Sequence, residues 1–222
     1  RLTTAPENLL DVRDLLLDYL PGLSPLEVGI VGDTAHVREG NSYHLGLPHQ
    51  SHWGYAATES TRDKAGLSKF ASALDIGTFS VKSNGKTHNL RTFSAWLVAE
   101  CKKGAADAKD IREVIYSTDG KTVKRWDRLK KRSSGDSSHT FHTHISYFRD
   151  ATKSGRDLTA LYRRYLASIG LLKGGTTPPP AAPPKHAPAP VLPKHALGSR
   201  LLKKGMRGTD VREAQGLLTT RG

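Results

Sequence analysis

Three histidines within six residues form the densest group of side chains that can bind a metal or move protons. His139, His142 and His144 stand in the segment SSHTFHTHISYF, whose alternation predicts a β-strand over 142–148. Residues two apart on a strand point to the same face, so His142 and His144 should project together. Such a pair suits one metal ligand and one neighbouring proton donor or acceptor. A short HxH motif alone is equally compatible with a structural role.

Two further segments carry side chains that would complete a metal site. His44 lies in a turn-like setting in NSYHLG, and Asp75 follows a run of small residues in ASALDIG. Asp75 could enter a strand and point into a cleft, or it could be a solvated carboxylate at a helix end or turn. Two imidazoles and one carboxylate form an open zinc site that leaves a position for water or substrate. Metal-assisted hydrolysis requires this combination.

These motifs resemble, in their order, the ligand set of the lysostaphin, D-alanyl-D-alanine carboxypeptidase and hedgehog type of zinc peptidase. The segments that carry the resemblance are SYH at 42–44, ALDI at 73–76 and HTH at 142–144. It spans roughly residues 23–150, and it is strongest to the carboxypeptidase branch found in actinobacterial phage endolysins. The resemblance implies that His44, Asp75 and His144 bind zinc and that His142 assists catalysis.

The chain departs from this family's pattern at two places. The family commonly keeps its first His and its Asp seven positions apart, whereas 31 positions separate His44 from Asp75 here. An insertion must therefore be looped out, and Asp63 in STRD competes with Asp75 as the carboxylate ligand. Many relatives also have a catalytic Glu three positions before the last His, where this chain has Phe141. His142 is therefore the first candidate for the general base.

Several other side chains near the motifs have both a functional and a structural interpretation. Asp136 could orient an imidazole or form an ordinary loop turn. Arg62 or Arg38 could receive a substrate carboxylate, or they could be solvated. Aromatic residues could wall a cleft for a peptide, with core packing as the alternative for the last two: Tyr43, Trp53, Tyr55, Tyr147 and Phe148. The remaining histidines of the first domain are expected to be solvated: His36, His49, His52 and His88.

The elements that must position these residues predict an α+β fold. Helices are expected where apolar residues recur at helical spacing, over 7–20, 64–74, 91–103 and 157–169. The pair Asp119-Gly120 separates two runs of strand-forming residues and predicts a hairpin over 111–126. We therefore expect a small mixed or antiparallel sheet with flanking helices around a zinc cleft.

A proline-rich segment divides the chain. Residues 174–193 contain eight of the twelve prolines, and this composition predicts an extended spacer. We expect a zinc peptidase domain over 1–173, a linker over 174–196 and a C-terminal module over 197–222. The last segment, with LLKKGMRGTDVREAQGLL, resembles the opening of a peptidoglycan-binding repeat domain that is truncated at its end.

Composition narrows the classes of partner. The chain has 34 Lys and Arg against 21 Asp and Glu, and the net charge of +13 favours polyanionic partners. The single cysteine, Cys101, cannot form an intrachain disulfide and is expected to be a buried helix residue. No apolar run is long enough for a membrane span, and no signal peptide is recognisable.

The combined expectation is a zinc-dependent peptidoglycan peptidase of the phage-endolysin type. It would act as a monomer at the bacterial cell wall, secreted or released from the host cytoplasm during lysis. Wall polyanions are possible additional partners, and no nucleic acid is expected. The alternative is a non-catalytic wall-binding protein on a degenerate peptidase fold, and a basic nucleic-acid binder is the weaker alternative. The bond that is cut stays open, as does endopeptidase against carboxypeptidase action.

Overall fold

The computed structural model describes residues 2–50 and 54–172. The chain divides into two units, Arg1–Thr176 and Thr177–Gly222, and all described residues belong to the first. The expected linker over 174–196 and the module over 197–222 therefore lie outside the described residues, where they stay predictions. Within the described part, no helix is long and apolar enough to cross a membrane.

A four-stranded antiparallel sheet in the order β1-β6-β4-β5 forms the centre of the fold, and β2 and β3 form a separate hairpin. The strands are β1 (Ala73–Ile76), β2 (Ser80–Ser83), β3 (Lys86–Asn89), β4 (Ile111–Ser117), β5 (Val123–Asp127) and β6 (Thr143–Tyr147). The helices are α1 (Glu7–Tyr19), α2 (Thr34–Glu39), α3 (Tyr55–Thr58), α4 (Thr61–Ala65), α5 (Leu90–Lys103), α6 (Arg149–Lys153) and α7 (Ala160–Ser168). This arrangement confirms the α+β class, with a sheet that is antiparallel.

The two faces of the four-stranded sheet have opposite character. Leu74, Ile145 and Val114 are paired across the strands and belong to the apolar core, which also includes residues of α1, α5 and α7. Side chains of successive residues alternate between faces, so Asp75 and His144 occupy the other face together. The apolar face packs into the core, and the opposite face holds the side chains of Asp75 and His144.

Helix α5 shows how local sequence fixes an element that supports the sheet. Asn89 caps its first turn and forms a reciprocal capping box with Thr92. Gly104 ends the helix in the left-handed conformation, with a φ of 72°. Phe93 is fully buried and packs edge-to-face on Tyr165 of α7, with 4.9 Å between ring centroids.

The expected helix over 64–74 is wrong. Helix α4 ends at Ala65, and the chain then becomes extended and enters β1 at Ala73. A Cβ on Gly66 would lie 2.1 Å from the carbonyl carbon of Arg149, so the chain passes close to α6 at this glycine, which is the C-cap residue of α4. The other three expected helices, the hairpin and the histidine strand are confirmed, with ends shifted by at most three residues.

Candidate metal centre

Three side chains converge at the β1–β6 pair. Nε2 of His44 lies 3.0 Å from Nδ1 of His144 and 3.1 Å from Oδ2 of Asp75. Nδ1 of His144 lies 3.0 Å from Oδ1 of Asp75. Ligand atoms bound at 2.0–2.1 Å around a tetrahedral zinc are about 3.3 Å apart, which is close to these separations. The three residues form a group that could hold a metal ion, and two imidazoles with one carboxylate suit zinc.

Strand register places two of the three residues. Asp75 of β1 stands directly opposite His144 of β6 in the antiparallel pair. Side chains of directly opposed residues lie on the same face with their Cβ atoms about 5 Å apart, so a carboxylate and an imidazole meet without help from a loop. His144 is buried and Asp75 is half-buried. Asp75 therefore lies on a strand, rather than at a helix end or turn.

His44 reaches this pair from a loop that is fixed by backbone hydrogen bonds. Its Nδ1 lies 2.8 Å from the carbonyl oxygen of Ile30, and Gly32 N donates to the His44 carbonyl at 3.1 Å. A carbonyl can only accept, so His44 carries its proton on Nδ1 and directs the lone pair of Nε2 toward Asp75 and His144. A Cβ on Gly32 would lie 2.6 Å from Cβ of His36 and 3.1 Å from Cβ of His44, so the close approach of these side chains favours glycine.

The charge of the site suits a divalent cation. Burial by itself raises the pKa of Asp75, but its interactions with His44 and His144 hold that pKa well below its usual range. Burial lowers the pKa of His44, and the neighbouring Asp75 carboxylate outweighs this and raises it. Burial lowers the pKa of His144. Asp75 is therefore ionised at neutral pH and supplies negative charge beside two imidazole nitrogens.

Asp63, the competing carboxylate, is held elsewhere. It is a residue of α4, and its fully buried side chain accepts hydrogen bonds from Tyr43 Oη at 2.9 Å and from Ser60 Oγ at 2.7 Å. The backbone N–H of Arg149 donates to its other oxygen at 3.1 Å. Burial raises the pKa of this carboxyl group. The structure brings Asp75 to the two imidazoles and uses Asp63 to join α4 to α6.

His142 stands beside the three-residue group. Its Nε2 lies 4.0 Å from Oδ1 of Asp75, and its ring packs on the ring of His139 with 4.5 Å between centroids. Burial lowers the pKa of His142 and that of His139, so both imidazoles are neutral at pH 7. Nδ1 of His139 donates to the carbonyl oxygen of Asp136 at 3.2 Å. Each ring is thus available to accept a proton.

Asp136 forms a loop turn and also contacts an imidazole, the two roles that the sequence left open. Its carboxylate accepts a hydrogen bond from the backbone N–H of Ser138 at 2.9 Å and caps the short 3₁₀ helix Ser137–Thr140. The same carboxylate lies 3.4 Å from Nδ1 of His139. It is therefore a turn residue that also contacts an imidazole, and that imidazole belongs to His139 rather than to an expected ligand.

The site opens into a cleft of about 340 Å³. Most of the residues that line it are polar: His36, Glu39, Asn41, Ser42, His44, Tyr55, Asp75, Asp136, Ser138, His139, His142 and His144. Sequence reasoning missed His36, whose Nδ1 lies 2.8 Å from Oδ1 of Asp33 and whose ring is 5.1 Å from that of His44. The sequence places His139 three positions before His142, and this spacing was the signal that could have assigned it to the site.

Of the other candidates that the structure describes, Tyr55 alone lines the cleft. Arg62 pairs with Asp150 and Asp110, and Arg38 is exposed and does not line the cleft. Tyr43, Tyr147 and Phe148 are buried, which leaves Tyr55 as the aromatic residue of the expected set that lines the cleft. Trp53 and His52 lie outside the described residues. His49 contacts Thr3, and His88 is on β3.

Comparison of the chain with protein-family models, with curated proteins and with solved structures finds no match. The fold and the site therefore define the chain as an α+β protein with a His44–Asp75–His144 group that could hold a metal ion.

Proposed function

We propose that this protein is a zinc-dependent peptidoglycan peptidase that hydrolyses an amide bond in the peptide part of the bacterial cell wall. The convergence of Nε2 of His44, the two carboxylate oxygens of Asp75 and Nδ1 of His144, with contacts of 3.0–3.1 Å, supports the proposal. Three protein ligands leave a fourth position for water or substrate, as in hydrolytic zinc sites.

Zinc, His142 and His139 would have separate roles in the hydrolysis. Bound zinc would polarise the scissile carbonyl and lower the pKa of a coordinated water. His142, neutral because burial lowers its pKa, accepts a proton at the edge of the three-residue group and returns it to the leaving amine. His139 packs against His142 and keeps that ring facing Asp75.

The cleft's charge favours cleavage within a peptide over removal of a C-terminal residue. A carboxypeptidase needs a cation to pair with the free carboxylate of its substrate. Among the described residues that line the cleft there is no Lys or Arg, whereas Glu39 and Asp136 add negative charge. These side chains offer no cation to pair with a free carboxylate, so an endopeptidase fits the described lining of the cleft better.

The substrate class rests on features outside the centre. The net charge of +13 would attract wall polyanions, and the C-terminal segment resembles a peptidoglycan-binding module. A tether between a catalytic domain and a wall-binding module raises the local concentration of enzyme at an insoluble substrate.

A non-catalytic wall-binding protein is the second candidate, and Phe141 favours it. Where many related peptidases place a catalytic Glu, this chain has a phenylalanine with 60% of its surface exposed. Its ring lies 5.7 Å from that of His142 and supplies no proton-transfer group. If His142 does not replace the missing Glu, the fold would bind the wall and cut nothing.

Digestion of purified actinobacterial cell walls separates the two candidates. The assay measures new amino groups and analyses the soluble peptides by mass spectrometry, for wild type, for zinc-stripped protein and for His142→Ala. His88→Ala on β3 is the matched control, because His88 does not line the cleft. The peptidase proposal expects release that needs zinc, falls at least about 100-fold in His142→Ala and is unchanged in the control. Wall binding without release by the wild type would support the binding protein.

A further inference from the structure

We propose that Ser146 and Glu113 are positioning residues that keep the proton of His144 on Nε2, so that Nδ1 presents a lone pair to the metal. This inference rests on the proposed zinc centre and adds two residues to it. Both side chains are fully buried on strands β6 and β4, where they stand opposite each other in the sheet. A carboxylate buried at such a position is costly unless it is paired and hydrogen-bonded, so its contacts require an explanation.

The direction of two hydrogen bonds determines the tautomer of His144. Ser146 Oγ lies 2.8 Å from Nε2 of His144 and 3.0 Å from Oε1 of Glu113. A carboxylate paired with an arginine acts as an acceptor, so the single hydroxyl proton of Ser146 points to Glu113. The hydroxyl oxygen must then accept from His144, which places the imidazole proton on Nε2. Nδ1, the atom that faces His44 and Asp75, is left without a proton.

Arg125 fixes the orientation of Glu113. It donates to Oε2 through Nε at 3.0 Å and through Nη2. It also donates through Nη1 to the carbonyl oxygen of Ser134 at 2.9 Å. Because Oε2 is occupied by these two donors, Oε1 is the oxygen that receives Ser146. The same arginine therefore connects the metal ligand to the segment that leads into His139.

Different groups thus fix the tautomers of the two imidazoles of the centre. The carbonyl of Ile30 holds the proton of His44 on Nδ1, and the pair of Ser146 and Glu113 holds the proton of His144 on Nε2. Such partners of metal-binding histidines fix the tautomer and the ring orientation, and their loss typically lowers metal affinity 10- to 100-fold.

Replacement of the carboxylate by an amide tests the direction of the bonds. In Glu113→Gln, the two donors of Arg125 hold the amide oxygen, so the amide NH₂ faces Ser146. Ser146 then accepts from the amide, and Nε2 of His144 is the remaining contact that can accept its hydroxyl proton, which favours the tautomer with the imidazole proton on Nδ1, the metal-binding atom. We therefore expect Glu113→Gln to impair zinc binding more than Ser146→Ala, which removes the hydroxyl without imposing the opposite tautomer.

The experiment measures the zinc dissociation constant by competition with a chromogenic chelator, for wild type, Ser146→Ala and Glu113→Gln. Long-range ¹H–¹⁵N NMR of the metal-free proteins reads the tautomer of His144, which loss of stability alone would not change. Ser72→Ala is the matched control, because Ser72 is also fully buried and its hydroxyl also contacts two partners, Tyr147 and Thr152. Thermal unfolding of each metal-free variant confirms that it is folded.

We expect about 10-fold weaker zinc binding in Ser146→Ala, about 100-fold weaker binding with an Nδ1-protonated His144 in Glu113→Gln, and wild-type affinity in Ser72→Ala. Zinc binding by wild type together with unchanged affinity and tautomer in Glu113→Gln would overturn the inference and leave the zinc centre standing. Absence of zinc binding by the folded wild type would instead overturn the proposed function. Should Glu113→Gln not fold, Ser146→Ala decides: wild-type affinity in that variant would also refute the inference.

Discussion

Arg149 organises the loop that carries His44, and its replacement by lysine offers a demanding test of the structure. Its side chain is buried, and its guanidinium donates to backbone carbonyl oxygens on both sides of His44. Nη2 donates to Ser42 O at 3.2 Å and to Leu45 O at 2.9 Å. Nε donates to Ala56 O, and Nη1 donates to Phe70 O. One side chain thus donates to four carbonyls in three segments of the chain.

The cost of Arg149→Lys follows from these bonds. An ammonium placed where Nη2 lies keeps at most the bonds to Ser42 and Leu45, and it leaves the oxygens of Ala56 and Phe70 without this donor. A hydrogen bond to a charged group contributes about 1.5–3 kcal/mol. Loss of two therefore lowers the free energy of unfolding by about 3–6 kcal/mol. The loop of His44 also loses its connection through this side chain to the segments of Ala56 and Phe70, so we expect about 10-fold weaker zinc binding.

Urea denaturation at pH 7, followed by circular dichroism, measures the loss. Arg156→Lys is the control: Arg156 is 40% exposed and pairs with Asp110 and Asp150 at the surface, so we expect a change below about 1 kcal/mol. A loss of less than about 1 kcal/mol in Arg149→Lys, equal to that of the control, would refute the role assigned to the buried guanidinium.

Three further predictions concern the fold. Burial alone would raise the pKa of Asp127, but the N–H of Leu129 and the charge of Arg112 lower it. The ionised carboxylate therefore stabilises the fold above the unfolded pKa of about 3.9, and this stabilisation is lost as the pH falls through the folded pKa. Asp127→Asn should therefore cost about 3 kcal/mol at pH 7, with a gap to wild type that narrows below about pH 4 in urea titrations; a gap that does not change with pH would contradict this. Burial raises the pKa of Cys101 to about 12, so Ellman's reagent at pH 8 should modify it only in denaturant, and rapid reaction of the native protein would show that the thiol is exposed. In Gly66→Ala the new Cβ would meet the backbone of Arg149 at 2.1 Å, which should cost about 2–3 kcal/mol by thermal unfolding, and an unchanged melting temperature would disprove the close approach.

The parts of the fold that the sequence predicts correctly have strong local signals. The hairpin of β4 and β5 has an Asp-Gly turn with a φ of 73° at Gly120, and α1 follows a regular apolar repeat. The hairpin of β2 and β3 was missed although Asn84-Gly85 is a recognised hairpin turn, with φ values of 50° and 72°. Its strands are short and mostly polar, so their alternation gave no signal.

The long-range contacts of the site were less accessible from the sequence. Motif order identified His44, Asp75, His142 and His144 as a set, but the 31-residue interval left Asp63 in competition. Tertiary packing decides that point, because α4 holds Asp63 against Tyr43 and Arg149. The pairing of Ser146 with Glu113 depends on strand register across β4 and β6, which no local pattern specifies.

The zinc content of the purified chain is the most direct test of the central claim. Elemental analysis should find one zinc per chain in the wild type and none in His144→Ala, which removes a ligand whose Nδ1 lies 3.0 Å from both other ligands. Release of amino groups from cell walls should disappear together with the metal. A folded wild type that takes up no zinc at micromolar concentration, or a His144→Ala variant that keeps both its zinc and its activity, would contradict the account.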